Sequence, residues 1–172
     1  LPISVPSEGY GQFLVDVFHE WYAHDVGKVY VSQFDNLLGQ WLGYPSTTCV
    51  HQPTCGQSLV LEANGDVYAC DHFVYPEYKV GNLTQQPLTE IVLSSKQQQF
   101  GLEKSQKLTA LCRRCEFRKL CYGGCPKHRF ISLENEPNPH NYLCASYRYF
   151  FEQTAPYMQA MARQIRLHPS AA

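Results

Sequence analysis

Hydrophobic side chains recur at spacings of three and four residues between positions 9 and 27 of the chain. This spacing is typical of an amphipathic helix, whose apolar stripe packs against another element. Residues 34–43 predict a second helix or helical turn that ends at Gly43, because glycine often ends a helix in the left-handed conformation. Between them, the short run at 28–31 predicts a strand. The first part of the chain is therefore expected to be mostly helical.

Two short β-favouring runs, at 58–63 and 67–70, flank an Asn-Gly turn at 64–65. Asn-Gly between two such runs is the strongest short-range signal for a β-hairpin. The second run ends in Cys70, so the hairpin is expected to carry this thiol back toward the two cysteines that precede it.

The second half of the chain predicts further helices. Residues 80–84 predict a turn, and a proline is well placed to start a helix over 88–95. A helix over 96–107 leads into a cysteine-rich region, and 147–167 predicts a final helix that is kinked by its internal proline. These elements predict the α+β class: a short β-hairpin plus helices and cysteine-rich loops.

Composition excludes some classes of function. The chain has 172 residues and a formal net charge of -1, so its overall charge gives no attraction to nucleic acid or membranes. It contains no run of eighteen apolar residues, and its first residues lack the basic and apolar order of a secretory signal. We therefore expect a soluble protein of the cytoplasm.

The local charge between Cys112 and Arg129 is strongly positive, with Glu116 as its single acidic residue. Such a cluster could bind the phosphates of a nucleic acid. It lies among thiols, however, and cations also neutralise an anionic metal–thiolate centre, which is the interpretation that we favour. The six basic residues are Arg113, Arg114, Arg118, Lys119, Lys127 and Arg129.

Eight cysteines carry the clearest chemical signal, and four of them fall within fourteen residues as C-x2-C-x5-C-x3-C. Closely spaced thiols on glycine-containing turns are typical ligands of zinc or of iron–sulfur clusters; a disulfide knot or simple burial is the less favoured alternative. Two sets of four would bind two zinc ions or two four-iron four-sulfur clusters, and spacing alone leaves the metal and the partition open. No histidine is required as a ligand. The histidines expected beside the ligands or in solvent are His51, His72, His128 and His140.

The cysteine series resembles the SPASM domain of radical S-adenosylmethionine enzymes, in particular of the anaerobic sulfatase-maturating enzymes. The resemblance covers about residues 10–157. Its motifs are Phe34-Asp35-Asn36, Asn64-Gly65-Asp66-Val67-Tyr68-Ala69-Cys70-Asp71, Gly81-Asn82 and Gly123-Gly124-Cys125. It implies two auxiliary four-iron four-sulfur clusters with interleaved ligands. The implied ligands are Cys49, Cys55, Cys70 and Cys125 for the first cluster, and Cys112, Cys115, Cys121 and Cys144 for the second.

One motif of that family is missing. The C-x3-C-x2-C motif binds the cluster that cleaves S-adenosylmethionine, and no three cysteines of this chain have that spacing. We therefore expect the chain to be the C-terminal portion of such an enzyme and inactive alone, with S-adenosylmethionine and a third four-iron four-sulfur cluster held elsewhere. The resemblance implies that residues 1–45 are the helical end of a partial barrel with its connecting helix. It assigns 46–146 to the SPASM domain and 147–172 to a C-terminal helix.

Asp71 directly follows one of the cysteines, at the position where the family places a carboxylate thought to act as general base. The implied reaction removes hydrogen from the β-carbon of a target cysteine or serine with a 5′-deoxyadenosyl radical. A proton and an electron are then lost, and hydrolysis gives formylglycine. A carboxylate can take the thiol or hydroxyl proton. The alternative is that Asp71 caps a turn or pairs with the basic cluster.

The implied partners are a sulfatase polypeptide as substrate and an electron donor such as a flavodoxin or ferredoxin. Neither a membrane nor a nucleic acid is expected. Because cysteine would cap every iron of the auxiliary clusters, we expect these to relay electrons or to support the structure. Two alternatives stay open: a zinc-binding module that contacts nucleic acid or protein, and the SPASM domain of another peptide-modifying radical enzyme.

Overall fold

The computed structural model describes residues 5–168, so the outermost residues of the predicted ranges 1–45 and 147–172 lie outside the described part. The helices are α1 (Ser7–His24), α2 (Ser32–Leu42), α3 (Leu88–Val92), α4 (Ser95–Gln106), α5 (Ala110–Arg114), α6 (Arg118–Cys121) and α7 (Cys144–Leu167). The strands are β1 (Val60–Leu61), β2 (Asp66–Tyr68), β3 (Lys79–Asn82), β4 (Arg129–Ile131) and β5 (His140–Asn141). All pairs are antiparallel, in a three-stranded sheet of order β1-β2-β3 and a two-stranded sheet of β4 and β5. The predicted mixture of helices with a small β-hairpin is confirmed.

The main core lies between the helices α1, α2 and α7. The rings of Phe18 and Phe34 meet edge to face, with centroids 5.5 Å apart, and Phe18 meets Phe150 in the same way at 6.2 Å. Each of these rings is at most 1% exposed, so aromatic stacking adds to a large hydrophobic contribution. Near the start of α1, Gly11 lies against the backbone of Ser146, where a Cβ would come within 3.0 Å. This contact fixes the first turn of α7, and Cys144 with it.

The predicted strand at 28–31 is wrong. The amide of Val29 donates to Asp25 O at 2.9 Å, which closes a turn after α1. At the end of the predicted strand, the amide of Val31 donates to the Asp35 carboxylate at 2.7 Å, and α2 begins at the next residue. Because these amides are used locally, the segment has no sheet partner. The end of α2 at Gly43 is confirmed, since Gly43 is left-handed with φ of 100°.

The predicted hairpin around Asn64 and Gly65 is confirmed, and a third strand joins it. Residues 80–84 were expected to be a turn, but the first three of them belong to β3, where Gly81 pairs with Val67. Sequence pattern missed this strand because its four residues lack an alternating β-favouring run, and its side-chain support comes from a distant residue. Asn82 donates to the carboxylate of Asp66 at 2.7 Å.

The last helix begins three residues earlier than predicted, at Cys144, and continues through Pro156 to Leu167. The predicted helices over 88–95 and 96–107 correspond to α3 and α4. No helix between residues 5 and 168 has both the length and the hydropathy needed to cross a membrane.

Replacing Asp66 by asparagine should reduce stability at neutral pH and flatten its acid dependence. The side chain of Asp66 accepts from Lys79 and Asn82, and these bonds hold the pKa of the Asp66 carboxyl below its ordinary value. A carboxyl with a lowered pKa stabilises the fold above its unfolded pKa of about 3.9, and that contribution is lost as pH falls through the folded pKa. Urea unfolding at pH 7 and pH 3 measures both effects, and Glu77→Gln, at an exposed position, is the control. An unchanged acid dependence in Asp66→Asn would contradict the role of this carboxylate.

Candidate metal centre

Four thiols from distant parts of the chain line one small cavity, the first thiol cavity. Cys49 begins a 3-10 turn, Cys55 follows in a loop, Cys70 comes after β2, and Cys125 precedes the Pro126–His128 turn. The cavity has a volume of about 10 Å³. That is room for about one water molecule. The loops would therefore have to move outward to admit a cluster of several irons.

The other four cysteines line a larger cavity, the second thiol cavity, of about 270 Å³. Cys112 lies on α5, Cys115 ends that helix, Cys121 lies in the last turn of α6, and Cys144 starts α7. The structure thus sorts the eight cysteines into the two sets that the family resemblance implies. Whether each set ligates one cluster stays a prediction.

A left-handed turn separates Cys121 from Cys125. Tyr122, Gly123 and Gly124 all have positive φ, at 48°, 72° and 61°. Glycine adopts this conformation without steric cost, and a Cβ on Gly123 would meet the Leu108 side chain at 2.5 Å. This turn directs two thiols only four residues apart into different cavities.

Polar side chains of α2 hold the loop that leads to Cys49. The buried Asn36 accepts from the amide of Thr47 at 2.8 Å and donates to Ser32 O at 2.7 Å. Gln40 donates to Leu120 O at 3.2 Å, which ties α2 to the helix of Cys121. Helix α2 therefore supports both thiol cavities, and Asn36 belongs to a motif on which the family resemblance rests.

Burial favours the protonated form of several of the thiols. It raises the pKa of Cys70 to about 12 in the first cavity, and the pKa values of Cys121 and Cys144 to about 12 and about 11 in the second. Metal ligation needs thiolates, so binding must release these protons and should tighten as pH rises. Neighbouring thiolates add to the increase, and those that act on Cys121 and Cys144 all belong to the second cavity.

The second thiol cavity has room for a centre larger than a single ion. Between residues 5 and 168, no group of three or more His, Cys, Asp or Glu side chains is arranged to hold one metal ion. A zinc ion would draw four sulfurs to about 2.3 Å from one point. The four thiols around the second cavity would fit a centre with several iron atoms, each bound to one cysteine. All eight thiols are free of disulfides.

A histidine lies beside one thiol of each cavity. His72 Nδ1 is 3.4 Å from Cys125 Sγ, and His140 Nδ1 is 3.7 Å from Cys112 Sγ. These two match the expectation of histidines beside the ligands. His51 is 3% exposed and packs against the rings of Tyr147 and Phe151, and burial lowers its pKa to about 4.

Asp71 lies in an exposed turn at the first cavity, with 61% of its side chain accessible. Its Oδ1 accepts from Cys70 Sγ at 3.1 Å, and its Oδ2 is 4.0 Å from His72 Nε2. The bond from Cys70 is the main cause that lowers the pKa of Asp71. A ligating thiolate cannot donate, so metal binding would leave this oxygen free. Among the described residues Asp71 forms no ion pair with Lys or Arg, against the alternative that it serves the basic cluster.

Three of the six basic residues between Cys112 and Arg129 are used within the fold. Arg129 donates to Gly123 O and Tyr122 O, and Arg113 donates to Leu108 O. Lys127 lies 4.3 Å from the ring centroid of Tyr75. These three cations support backbone and aromatic groups, while the other three basic residues are exposed.

Sequence reasoning missed Lys104, which is 1% exposed between the loop of Cys49 and the turn after Cys121. The buried side of α4 is formed by Gln97, Gly101 and Lys104. These residues share one helix face by their spacing, but none of them is apolar. Hydrophobic periodicity therefore gave no signal for this face.

Replacing Gly101 by alanine should disturb the first thiol cavity. A Cβ at this position would lie 2.7 Å from Cys55 O. The contact would displace the Cys55 loop and cost about 1–3 kcal/mol, the usual range for overpacking. We expect less iron in the anaerobic protein and a lower unfolding midpoint. Gly39→Ala in α2 is the matched control, since its Cβ would have no neighbour within 4 Å. Equal iron content in the two variants would show that the close approach at Gly101 is unimportant.

Comparison with known proteins identifies a domain family and several similar enzymes. Residues 49–116 match the SPASM family, an iron-sulfur cluster-binding domain. The serine-type anaerobic sulfatase-maturating enzyme of Bacteroides thetaiotaomicron is 44% identical over 94% of this chain and 39% of its own length. The cysteine-type enzyme of Clostridium perfringens is 33% identical over 95% of this chain and 44% of its own length.

Solved structures agree as well. The structure of native anSMEcpe with bound AdoMet and Kp18Cys peptide has a TM-score of 0.81 at 33% identity, over 94% of this chain and 45% of that chain. The chain thus spans about two fifths of the length of the curated relatives it matches. Residues 49–116 are thus similar to the SPASM iron–sulfur cluster-binding domain, and most of the chain is similar to part of the anaerobic sulfatase-maturating enzymes.

Proposed function

We propose that the chain is the auxiliary-cluster part of an anaerobic sulfatase-maturating enzyme, which oxidises a cysteine or serine of a sulfatase polypeptide to formylglycine. The observation that carries this proposal is the sorting of eight interleaved cysteines into two cavities of four thiols each. Support also comes from relatives of both the serine type and the cysteine type that align with nearly the whole chain.

Each cavity would hold one four-iron four-sulfur cluster, and a bound cluster supplies one-electron transfer. Four thiolates per cavity cap all four irons, so these residues leave no open iron for a substrate. The chain contributes ligands and an electron path, while S-adenosylmethionine and its own cluster are held by residues outside this sequence.

Asp71 is the residue of this chain that we propose acts on the substrate, as a general base. Its carboxylate is exposed beside the first cavity and makes no ion pair with Lys or Arg among the described residues. Such a group can take the thiol or hydroxyl proton of the target side chain. The partners are then a sulfatase polypeptide and an electron donor such as a flavodoxin or ferredoxin. The cytoplasm is the compartment that we propose, and eight free thiols agree with a reducing environment of this kind.

The test uses the complete protein purified without oxygen. We expect about eight irons and about eight sulfides per chain beyond those of the S-adenosylmethionine site, as two four-iron clusters require. About two zinc ions, with no iron or sulfide beyond that of the S-adenosylmethionine site, would remove the cluster assignment. Mass spectrometry of sulfatase peptides that carry the target cysteine or serine should then detect formylglycine. Full cluster content with conversion of neither peptide would remove the substrate assignment.

A further inference from the structure

Two cations lie between the thiol cavities without a carboxylate partner. Lys104 is 1% exposed, and Arg129 is partly buried. Between residues 5 and 168, neither side chain lies within ion-pair distance of an aspartate or glutamate. A buried charge that lacks a counter-ion is costly, so such groups are normally paired. The anion that compensates this pair must therefore come from elsewhere in the site.

Lys104 contacts the backbone that forms part of the first thiol cavity. Its ammonium donates to Cys49 O and, at 3.0 Å, to Val50 O, so it is held against the turn that carries a cavity thiol. Cys49 and Val50 both line this cavity. An anionic centre there would supply the missing counter-charge.

Arg129 stands between the two cavities. Its guanidinium donates to Lys104 O at 2.7 Å and to Tyr122 O at 2.9 Å, which joins α4 to the turn between Cys121 and Cys125. Its Nε donates to Gly123 O at 3.2 Å, and Gly123 lines the second cavity. Burial lowers the pKa of Arg129, and thiolates from both cavities oppose the shift. The arginine charge therefore acts on both sites.

We propose that Lys104 and Arg129 are positioning residues that set the reduction potentials of the auxiliary clusters, Lys104 for the first cluster and Arg129 for both. A cluster gains one negative charge when it is reduced, and a nearby fixed cation stabilises that extra charge. Removal of the cation should make reduction harder. The inference rests on the proposed two-cluster content, which the iron and sulfide analysis tests separately.

The experiment compares Lys104→Met with Lys107→Met in the complete anaerobic protein, by redox titration followed with electron paramagnetic resonance. Lys107 closes the same helix, but it is exposed and paired with Glu103. In Lys104→Met, the ratio of reduced to oxidised cluster at a fixed potential should fall about tenfold for one auxiliary cluster, which equals about 59 mV for a one-electron couple. Lys107→Met should leave both midpoints unchanged. Arg129→Gln should lower both midpoint potentials. Arg129→Lys keeps the positive charge, so its midpoint potentials should stay close to those of the unchanged protein.

Two results would overturn the proposal. One is an unchanged midpoint in Lys104→Met with both clusters present, and the other is an equal shift in Lys107→Met. If Lys104→Met does not retain iron, Lys104→Arg tests whether the charge or the shape of the lysine is required. Retained iron in the arginine variant supports a role for the charge, and equal loss of iron in both variants shows that only the shape of the lysine matters.

Discussion

Replacing Asp71 by asparagine should suppress formylglycine formation about a hundredfold or more, the usual contribution of a positioned acid or base. Asparagine keeps the shape of the side chain but removes the basic oxygen. Iron content and cleavage of S-adenosylmethionine should stay at the level of the unchanged protein, because Asp71 is not a proposed ligand. All three quantities are measured on one preparation of the complete enzyme.

Asp16→Asn is the control for this substitution, since Asp16 is an exposed aspartate on α1. A structural role for Asp71 would give a different pattern. The turn beside Cys70 would be disturbed, iron would be lost, and product would fall only in proportion to that loss. Near-normal product with full iron content would rule out Asp71 as the base.

Replacing Cys125 by alanine should remove the first cluster and spare the second. Cys125 is only four residues from Cys121, yet it lines the first thiol cavity with Cys49 and Cys70. The variant should lose about four irons, the content of one cluster. The remaining paramagnetic signal should be the one that Cys112→Ala abolishes.

A double variant tests the pairing further. Because Cys49 and Cys125 belong to one proposed site, Cys49→Ala should cost no more iron in the Cys125→Ala background, as coupled sites are not additive. Cys112→Ala in the same background should remove the second cluster as well. If Cys125→Ala and Cys112→Ala abolish the same signal, the interleaved assignment is wrong.

Local patterns in the sequence were enough to predict several elements. The Asn-Gly turn at 64–65 predicted the hairpin, because that dipeptide favours one turn type wherever it lies. Apolar spacing predicted α1, and Gly43 predicted the end of α2. Strand β3 was missed, since its pairing depends on Asn82 and Asp66, sixteen residues apart, and not on its own pattern.

Predicting the site depended on a different kind of information. Spacing alone left the partition of the cysteines open, and only the family resemblance implied the interleaved sets. The reason is physical: the positive φ values of Gly123 and Gly124 direct neighbouring thiols apart, and sequence spacing does not report a backbone direction. The burial of Lys104 was not predicted from the sequence, for a similar reason. Its contact with the Cys49 carbonyl spans 55 residues, and a lysine on a helix is normally exposed.

The turn at 122–124 also determines how this region can be divided. In chain order, three thiols of the first cavity are followed by three thiols of the second. Cys125 then belongs to the first cavity, and Cys144 belongs to the second. No single cut of the polypeptide separates the two sets. A truncation or a domain exchange that keeps one complete set must therefore also keep part of the other. The two thiol cavities can therefore be transferred to another protein only together.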